Sequence, residues 1–121
     1  MLAIRGATTI RSNISEDIKE SSIELFEELL LINNINKNDI ISILFSCTKD
    51  ITASYPGKFI REKFDLKNVA IMHFNEMHVE NSLKNCIRIL IFANSNSLNN
   101  IQYVYLRGAT KLRIDLISNI L

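Results

Sequence analysis

The sequence is poor in residues that break or cross-link a chain or give it a strong net charge. It has one proline, three glycines and no tryptophan in 121 residues, so its turns must rely on Asn, Asp and Ser. Its 14 basic residues nearly cancel its 13 acidic ones, which leaves a net charge of +1. Without a basic excess, the composition argues against a nucleic-acid binder or a membrane-surface protein. Any anion site must come from a local cluster of Arg and Lys.

Cysteine and long apolar runs are also scarce. The two cysteines, Cys47 and Cys86, lie in apolar segments without C-x-x-C spacing, so we expect reduced thiols in a cytoplasmic protein. The first residues, MLAIRGATTI, carry Arg5 where a signal peptide has its apolar centre, so no export signal is expected. The apolar runs are too short to span a bilayer.

The length and composition of the chain predict one globular domain over residues 1–121. Hydrophobic residues make up 47% of the chain and charged residues 22%, which is typical of a domain with a core. The patterns predict the order β-α-β-α-β-β-β, with strands in LAIRGATTI, IISILFSCT, VAIMHFNEMHV, KNCIRILIFAN and IQYVYLR. This order predicts an α+β or mixed α/β fold, a mixed sheet with helices on one side. A half-covered sheet leaves apolar surface that a homo-oligomer would bury.

The two predicted helices have recognisable starts. Ser15 is predicted to cap the first helix, with acidic residues in its first turn. Pro56 is expected in the first turn of the second helix, within SYPGKFIREKF, where its missing N–H costs nothing. The first helix should pack on the sheet through residues that recur at helical spacing, namely Ile18, Ile23, Phe26, Leu29 and Leu30.

Three ionisable residues, Arg5, Glu76 and Arg88, lie inside apolar strand segments. Strand side chains alternate faces, so Arg88 should share one face with Cys86, Leu90 and Phe92. A guanidinium cannot lose its proton, and burying it unpaired costs several kcal/mol. Taken singly, each charge is explained by a structural ion pair or by a strand end that reaches water. Taken together, their net positive sign indicates a strand-lined pocket for a small dianion.

Further side chains fit such a pocket better than they fit other chemistries. Tyr105 could add a hydroxyl, and Lys58 and Arg61 share a helix face that is either solvated or the rim of an anion site. No Gly-rich phosphate loop or Ser/His/Asp arrangement is evident. His73 and His78 should lie on opposite faces, which is poor spacing for a metal. The pocket suits a reaction that depends on electrostatics rather than on covalent chemistry.

Four segments carry a family resemblance: IRGATT, YPGKFIRE, NEMHV…LKNCIRI and VYLRGATKLRIDL. In order and spacing they resemble the monofunctional trimeric chorismate mutases of the barrel-like class, over residues 4–116. The resemblance implies a pseudo-α/β-barrel homotrimer with three active sites at subunit interfaces and no cofactor. It also implies an isomerase that performs the Claisen rearrangement of chorismate to prephenate, in phenylalanine and tyrosine synthesis.

The same resemblance assigns roles to residues of this chain. It implies that Arg88 contacts the breaking ether oxygen and a substrate carboxylate, and that Glu76 receives the ring hydroxyl. Arg5 and Tyr105 would bind carboxylate, and Tyr55 would form part of the pocket wall. The implied peripheral residues, at the entrance and the tail, are Lys58, Arg61, Arg113 and the apolar Leu112.

Some positions depart from the family pattern. His73 stands where the family usually has a cysteine near the glutamate and the substrate hydroxyl, and Met72 replaces a small hydroxyl residue. His73 therefore either donates to that hydroxyl or faces away. Gly57 stands where alanine is usual. Ile114 follows Arg113 where proline is common, which leaves open whether Arg113 belongs to a closing tail.

Two other functions remain alternatives. One is a trimeric binder of small carboxylates that kept the pocket without turnover. Retention of Arg5, Glu76, Arg88 and Tyr105 favours the enzyme over this binder. The other is a trimeric imine or enamine deaminase of similar shape, which would use an activated water. The glutamate–arginine pairing and the LKNCIRI segment do not indicate a deaminase.

Overall fold

The computed structural model describes residues 1–94 and 101–112. Within them the order β-α-β-α-β-β-β is confirmed, together with two short 3-10 turns. No helix in these ranges is both long and apolar enough to cross a membrane. The helices and strands are β1 (Leu2–Thr9), α1 (Ser15–Ile32), β2 (Ile40–Cys47), α2 (Pro56–Phe64), β3 (Ala70–Asn75), β4 (Cys86–Ala93) and β5 (Val104–Tyr105).

The strands form one mixed sheet in the order β3-β2-β4-β1-β5. The middle strand, β4, runs antiparallel to both of its neighbours. The two outer pairs, β2 with β3 and β1 with β5, are parallel. This arrangement confirms the predicted mixed sheet, with β1, β2 and β4 each paired on both sides.

The helices cover one face of this sheet, as predicted. Ile87 and Ile91 of β4 are fully buried in one cluster with Ile18, Phe26 and Leu29 of α1. The predicted packing face of α1 is confirmed, because its two remaining members are partly buried against the same cluster. We call the other side of the sheet the open face. On β4 its side chains are Cys86, Arg88, Leu90 and Phe92, as the alternation predicts.

The predicted cap of α1 is wrong. Ser15 is the first helical residue, and Ile14, in the capping position, makes no side-chain hydrogen bond to the helix. The Ser15 hydroxyl contacts that of Ser54 instead. Asp17 fastens the preceding loop, since its carboxylate accepts hydrogen bonds from the Ser12 hydroxyl at 2.6 Å and the Ser12 N–H at 3.1 Å. The Ser12 hydroxyl bond, helped by Arg11, holds the pKa of Asp17 below its ordinary value.

Strands β3 and β5 are shorter than predicted. Strand β3 ends at Asn75, because β2, the one strand that pairs with it among the described residues, ends at Cys47. One further ladder bond joins the Glu76 N–H to the Cys47 carbonyl at 2.8 Å. Glu76 therefore lies just beyond the strand rather than inside it. Strand β5 pairs with β1 over two residues only, and Arg107, which follows it, has a left-handed φ of 51° that ends any extended conformation.

Candidate active site

A row of side chains crosses the open face at the level of Arg88. Ser46 is paired with Phe74 on one side and with Arg88 on the other. Arg88 is paired in turn with Ala7, and Ala7 with Tyr105. Because Ala7 carries only a methyl group, the row leaves space between the guanidinium and the phenol.

Arg5 lies in the next row, where it is paired with Leu90 of β4. Its guanidinium is 4.9 Å from the centre of the Tyr103 ring, a cation–π contact. The two rows enclose a cavity of about 350 Å³, which we call the arginine cavity. It brings together Arg5, Arg88 and Tyr105, three residues that the sequence placed in one pocket. The full lining is Arg5, Gly6, Leu44, Phe45, Ser46, Phe74, Arg88, Ile89, Leu90 and Tyr105.

Glu76 is held beside this cavity by Ser46 and Arg88. Its Oε1 accepts a hydrogen bond from the Ser46 hydroxyl at 2.6 Å and lies 3.4 Å from Arg88 Nε. The Glu76 side chain is 26% exposed and the Arg88 side chain is 43% exposed. Among the described residues, Arg88 has no second carboxylate within ion-pair distance. Arg5, which lines the same cavity, has no carboxylate within ion-pair distance among the described residues, so two guanidiniums face one carboxylate and the site suits an anionic ligand.

A second cavity, of about 600 Å³, lies where α2 begins, and we call it the helix-end cavity. It brings together Tyr55, Lys58 and His73, three further residues of the predicted site. The Tyr55 ring is largely solvent-accessible, with 68% of the residue exposed. Phe74 borders both cavities. The other lining residues are Cys47, Ile51, Thr52, Ala53, Ser54, Pro56 and Asn75.

His73 faces α2 and not the arginine cavity. Its Nε2 accepts a hydrogen bond from the Gly57 N–H at 3.0 Å. Its ring is stacked on Phe45, with 5.1 Å between centres and 8° between planes. Burial lowers the pKa of this imidazole. Of the two orientations left open by the sequence, the structure has the one that faces away, and Nε2 is already engaged.

Three predicted peripheral residues lie elsewhere. Arg61 lines neither cavity, because its guanidinium donates to the carbonyls of Leu66 at 2.6 Å and Val69 at 2.9 Å, which braces the connection from α2 to β3. Leu112 packs with Tyr105 against a small cluster around Ala7, next to the row that contains Arg88. Arg113 lies outside the described residues.

Sequence reasoning missed Ser46, the hydroxyl that holds Glu76. The available signal was a serine inside the apolar run IISILFSC, on the face opposite Phe45. Nothing in the sequence indicated that its partner would be a carboxylate 30 residues away. The residue therefore becomes visible only when β2 and β3 are paired.

The fold and the cavity define an α+β domain whose half-covered sheet carries a cavity lined by two arginines. Comparison with known proteins identifies the family to which this domain belongs. Residues 1–116 match the family model described as chorismate mutase type I. The chain therefore belongs to the chorismate mutase type I family, which confirms the resemblance seen in the sequence.

Similar proteins agree with this assignment. The chain is 33% identical over 114 residues to the chorismate mutase AroH of Bacillus subtilis (strain 168), which covers 93% of this chain and 90% of that protein. It is 32% identical over 115 residues to the AroH protein of Thermus thermophilus, covering 93% of each. A solved chorismate mutase from Clostridium thermocellum superposes with a TM-score of 0.86 at 37% identity, over 92% of this chain and 99% of that one.

Proposed function

We propose that the protein is a chorismate mutase, an isomerase that converts chorismate to prephenate for phenylalanine and tyrosine synthesis. The carrying observation is the arginine cavity, where Arg5, Arg88 and Tyr105 face one space beside the fixed carboxylate of Glu76. Family membership supports the same activity. The substrate is a dianion, and two guanidiniums around one small cavity match its charge.

Arg88 supplies the main electrostatic contribution to this rearrangement. The ether C–O bond of chorismate breaks while a C–C bond forms between the enolpyruvyl methylene and the ring. Product and substrate are isomers, so no atom is gained or lost, no proton moves and no bond to the protein forms. Bond breaking runs ahead of bond making, so the ether oxygen gains negative charge. A guanidinium fixed beside that oxygen stabilises the transition state more than the ground state.

The other groups orient the substrate. Arg5 and Tyr105 bind its carboxylates and hold the enolpyruvyl chain over the ring, which lowers the entropic part of the barrier. Glu76 receives the ring hydroxyl. Its Oε1 already contacts Ser46 and Arg88, so Oε2 is the oxygen that accepts from the substrate. No step in this scheme requires a cofactor or a metal.

The proposal includes a homotrimer of pseudo-α/β-barrel form with active sites between subunits. Two features of the single chain support it. The open face exposes apolar side chains, including Met72 at 56% and Phe74 at 49%, which a neighbouring copy would cover. In addition, the arginine cavity lacks Tyr55 and Lys58, which line the separate helix-end cavity. In the trimer, the helix-end cavity of one subunit completes the arginine cavity of the next.

We further propose that the chain forms a single domain that works in the cytoplasm. Two unpaired cysteines, Cys47 and Cys86, support a reducing compartment, because both are present as buried thiols. Burial raises the pKa of Cys47 to about 12 and that of Cys86 to about 11. At neutral pH both thiols are therefore protonated and unreactive.

The decisive experiment measures the loss of chorismate absorbance with purified protein, together with its mass by light scattering. We expect turnover and a mass about three times 13.9 kDa. Chorismate binding measured by calorimetry without turnover would identify a non-catalytic carboxylate binder instead. A stable and fully active monomer would rule out the shared site.

Mixed trimers test the shared site directly. Arg88→Ala removes the proposed catalytic guanidinium from the arginine cavity, and Lys58→Glu places a carboxylate in the helix-end cavity. When the two variants are unfolded, mixed and refolded together, roughly one quarter of the interfaces join an intact arginine cavity to an intact helix-end cavity. Activity should return to about that fraction of wild type. If each site lies within one chain, mixing restores nothing.

A further inference from the structure

The first turn of α2 is fixed by an imidazole instead of a conventional cap. Gly57 is the second residue of the helix, so its N–H has no partner within the helix. Tyr55, in the capping position, makes no side-chain hydrogen bond to the helix. His73 Nε2 accepts from the Gly57 N–H at 3.0 Å and so satisfies one of the orphan donors.

The fit between Gly57 and His73 is close. A Cβ on residue 57 would lie 2.9 Å from both Cε1 and Nε2 of His73, and 2.7 Å from a methyl carbon of Ile71. Real Cβ atoms do not approach neighbours at such distances. Any side chain at position 57 would therefore press on both the imidazole and the Ile71 methyl, so the present fit requires glycine there.

The imidazole also fixes Tyr55. One face of the His73 ring is stacked on Phe45, and the Tyr55 ring lies 5.0 Å away at 56°. Tyr55 immediately precedes α2, and Lys58 lies in its first turn. All three of His73, Tyr55 and Lys58 line the helix-end cavity. A shift of the imidazole would therefore move the aromatic ring and the cation together.

We infer that His73 is a positioning residue, which holds the first turn of α2 through its unprotonated Nε2 and so places Tyr55 and Lys58. The catalytic part of this inference rests on the proposed function, in which these two residues complete the site of a neighbouring subunit. His73 itself does not touch the substrate. Its effect is transmitted through the Gly57 N–H and the Tyr55 ring.

This role depends on pH, because protonated Nε2 cannot accept a hydrogen bond. The titratable groups that line the same cavity are Tyr55, Lys58 and the buried Cys47 thiol. Burial lowers the pKa of His73, and the positive end of α2 also disfavours a positive charge beside the Gly57 N–H. The stabilisation is thus complete above the unfolded-state pKa of about 6.5. It is lost as the pH falls through the lower folded-state pKa.

The test compares wild type with His73→Gln and His73→Leu between pH 5 and 8 (a range chosen around the ordinary histidine pKa of about 6.5). Melting temperature, the amide NMR signal of Gly57 and KM are measured on each protein. In wild type, acid should lower the melting temperature, shift the Gly57 signal and raise KM about two- to tenfold, the size of one lost neutral hydrogen bond. His73→Gln keeps an acceptor that does not titrate, so the His73-dependent parts of these changes should disappear.

His73→Leu should resemble acidified wild type at every pH, with raised KM and a nearly unchanged kcat. If the Gly57 signal does not follow His73 protonation, the inference is wrong. If acid raises KM to the same extent in His73→Gln, the positioning role is wrong as well. The NMR and melting measurements need no substrate, so they stand even if the protein has no turnover. A lack of turnover in all three proteins would count against the proposed function alone.

A double-mutant cycle tests the fit itself. Gly57→Ala should displace the imidazole and lower the melting temperature, although alanine alone favours a helix. In a His73→Ala background the same change meets no ring and only the Ile71 methyl remains close, so the part of its cost that comes from the imidazole should vanish. Non-additivity of this sign is expected for residues in contact. Additive effects would show that Gly57 and His73 do not depend on each other.

Discussion

Strand β4 has two faces that differ in their surroundings. Ile87 and Ile91 on one face are completely buried beneath the helices, where a charge would be intolerable. Arg88, between them along the chain, is on the open face with 43% of its side chain exposed, beside the carboxylate of Glu76. The same short segment therefore supplies both the hydrophobic core and the site. An arginine in this apolar strand is tolerated because the helices cover only one face of the strand.

This difference separates stability from activity. Removal of a core methyl should change the free energy of unfolding and leave turnover per folded molecule unchanged. Removal of a polar group from the open face should lower turnover and change the free energy of unfolding little. Such a group is already half exposed to solvent in the folded protein, so its contacts there contribute little to stability. Substitutions on the two faces can therefore be compared within one sheet.

The largest expected effect is that of Arg88→Ala. The loss of a donor to the developing charge typically lowers kcat ~10²–10³-fold, and a charged arginine should lie at or above this range. Arg88→Lys should recover only part of the lost kcat, since it restores the charge but not the planar guanidinium with its paired N–H donors. The melting temperature should change little because the ion pair with Glu76 is partly solvated. Both kcat and the melting temperature are measured on the same preparation.

A purely structural Arg88–Glu76 pair predicts a different pattern. Breaking a buried pair would cost ~3–5 kcal/mol of stability, and combining Glu76→Gln with Arg88→Met would restore folding and activity together. Arg88→Met on its own separates the two explanations. A folded variant with nearly normal turnover would contradict the proposed catalytic role of the guanidinium.

A smaller effect is expected from Ser46→Ala. It removes the 2.6 Å hydrogen bond to Glu76 Oε1 and frees the carboxylate to rotate away from the ring hydroxyl. We expect kcat/KM to fall about tenfold, near the lower end of the range for a hydrogen bond to a charged group, because the carboxylate is partly exposed. The matched control is Ser42→Ala, on the same face of β2 but paired with Phe92. Equal losses in the two variants would show that Glu76 does not depend on Ser46.

The sequence predicted the sheet, its covered face and three residues of the arginine cavity (Arg5, Arg88 and Tyr105), because these follow from local periodicity and from the family motifs. It did not predict contacts between segments. The bond from Ser46 to Glu76 joins residues 30 apart, and that from Gly57 to His73 joins residues 16 apart. Gly57 and His73 were two separate departures from the family pattern. In the structure they are one feature, since the larger side chain occupies the space that a Cβ would need.

Local propensity also failed where another partner competed. Serine is a favoured cap, but the Ser15 hydroxyl contacts Ser54, and the chain before α1 is held by Asp17 instead. Arg61 has the spacing of an anion-site residue, yet both of its bonds go to backbone carbonyls that follow α2. In each case the side chain type was informative, and the missing information was which acceptor or donor lay within reach.

The smallest expected effect concerns the face of β4 that is buried beneath the helices. Ile91→Val removes one methylene from a site with no exposed surface, and should lower the free energy of unfolding by about 0.5–1.5 kcal/mol. The denaturation midpoint should fall with an unchanged slope, and kcat should not change. Ile41→Val is the control, because Ile41 is 38% exposed and the same deletion there should stay within about 0.5 kcal/mol. Equal costs at both positions would mean that burial does not determine the cost of this deletion. A loss of turnover in Ile91→Val would mean that the core face positions Arg88, and that stability and activity cannot be separated within this strand.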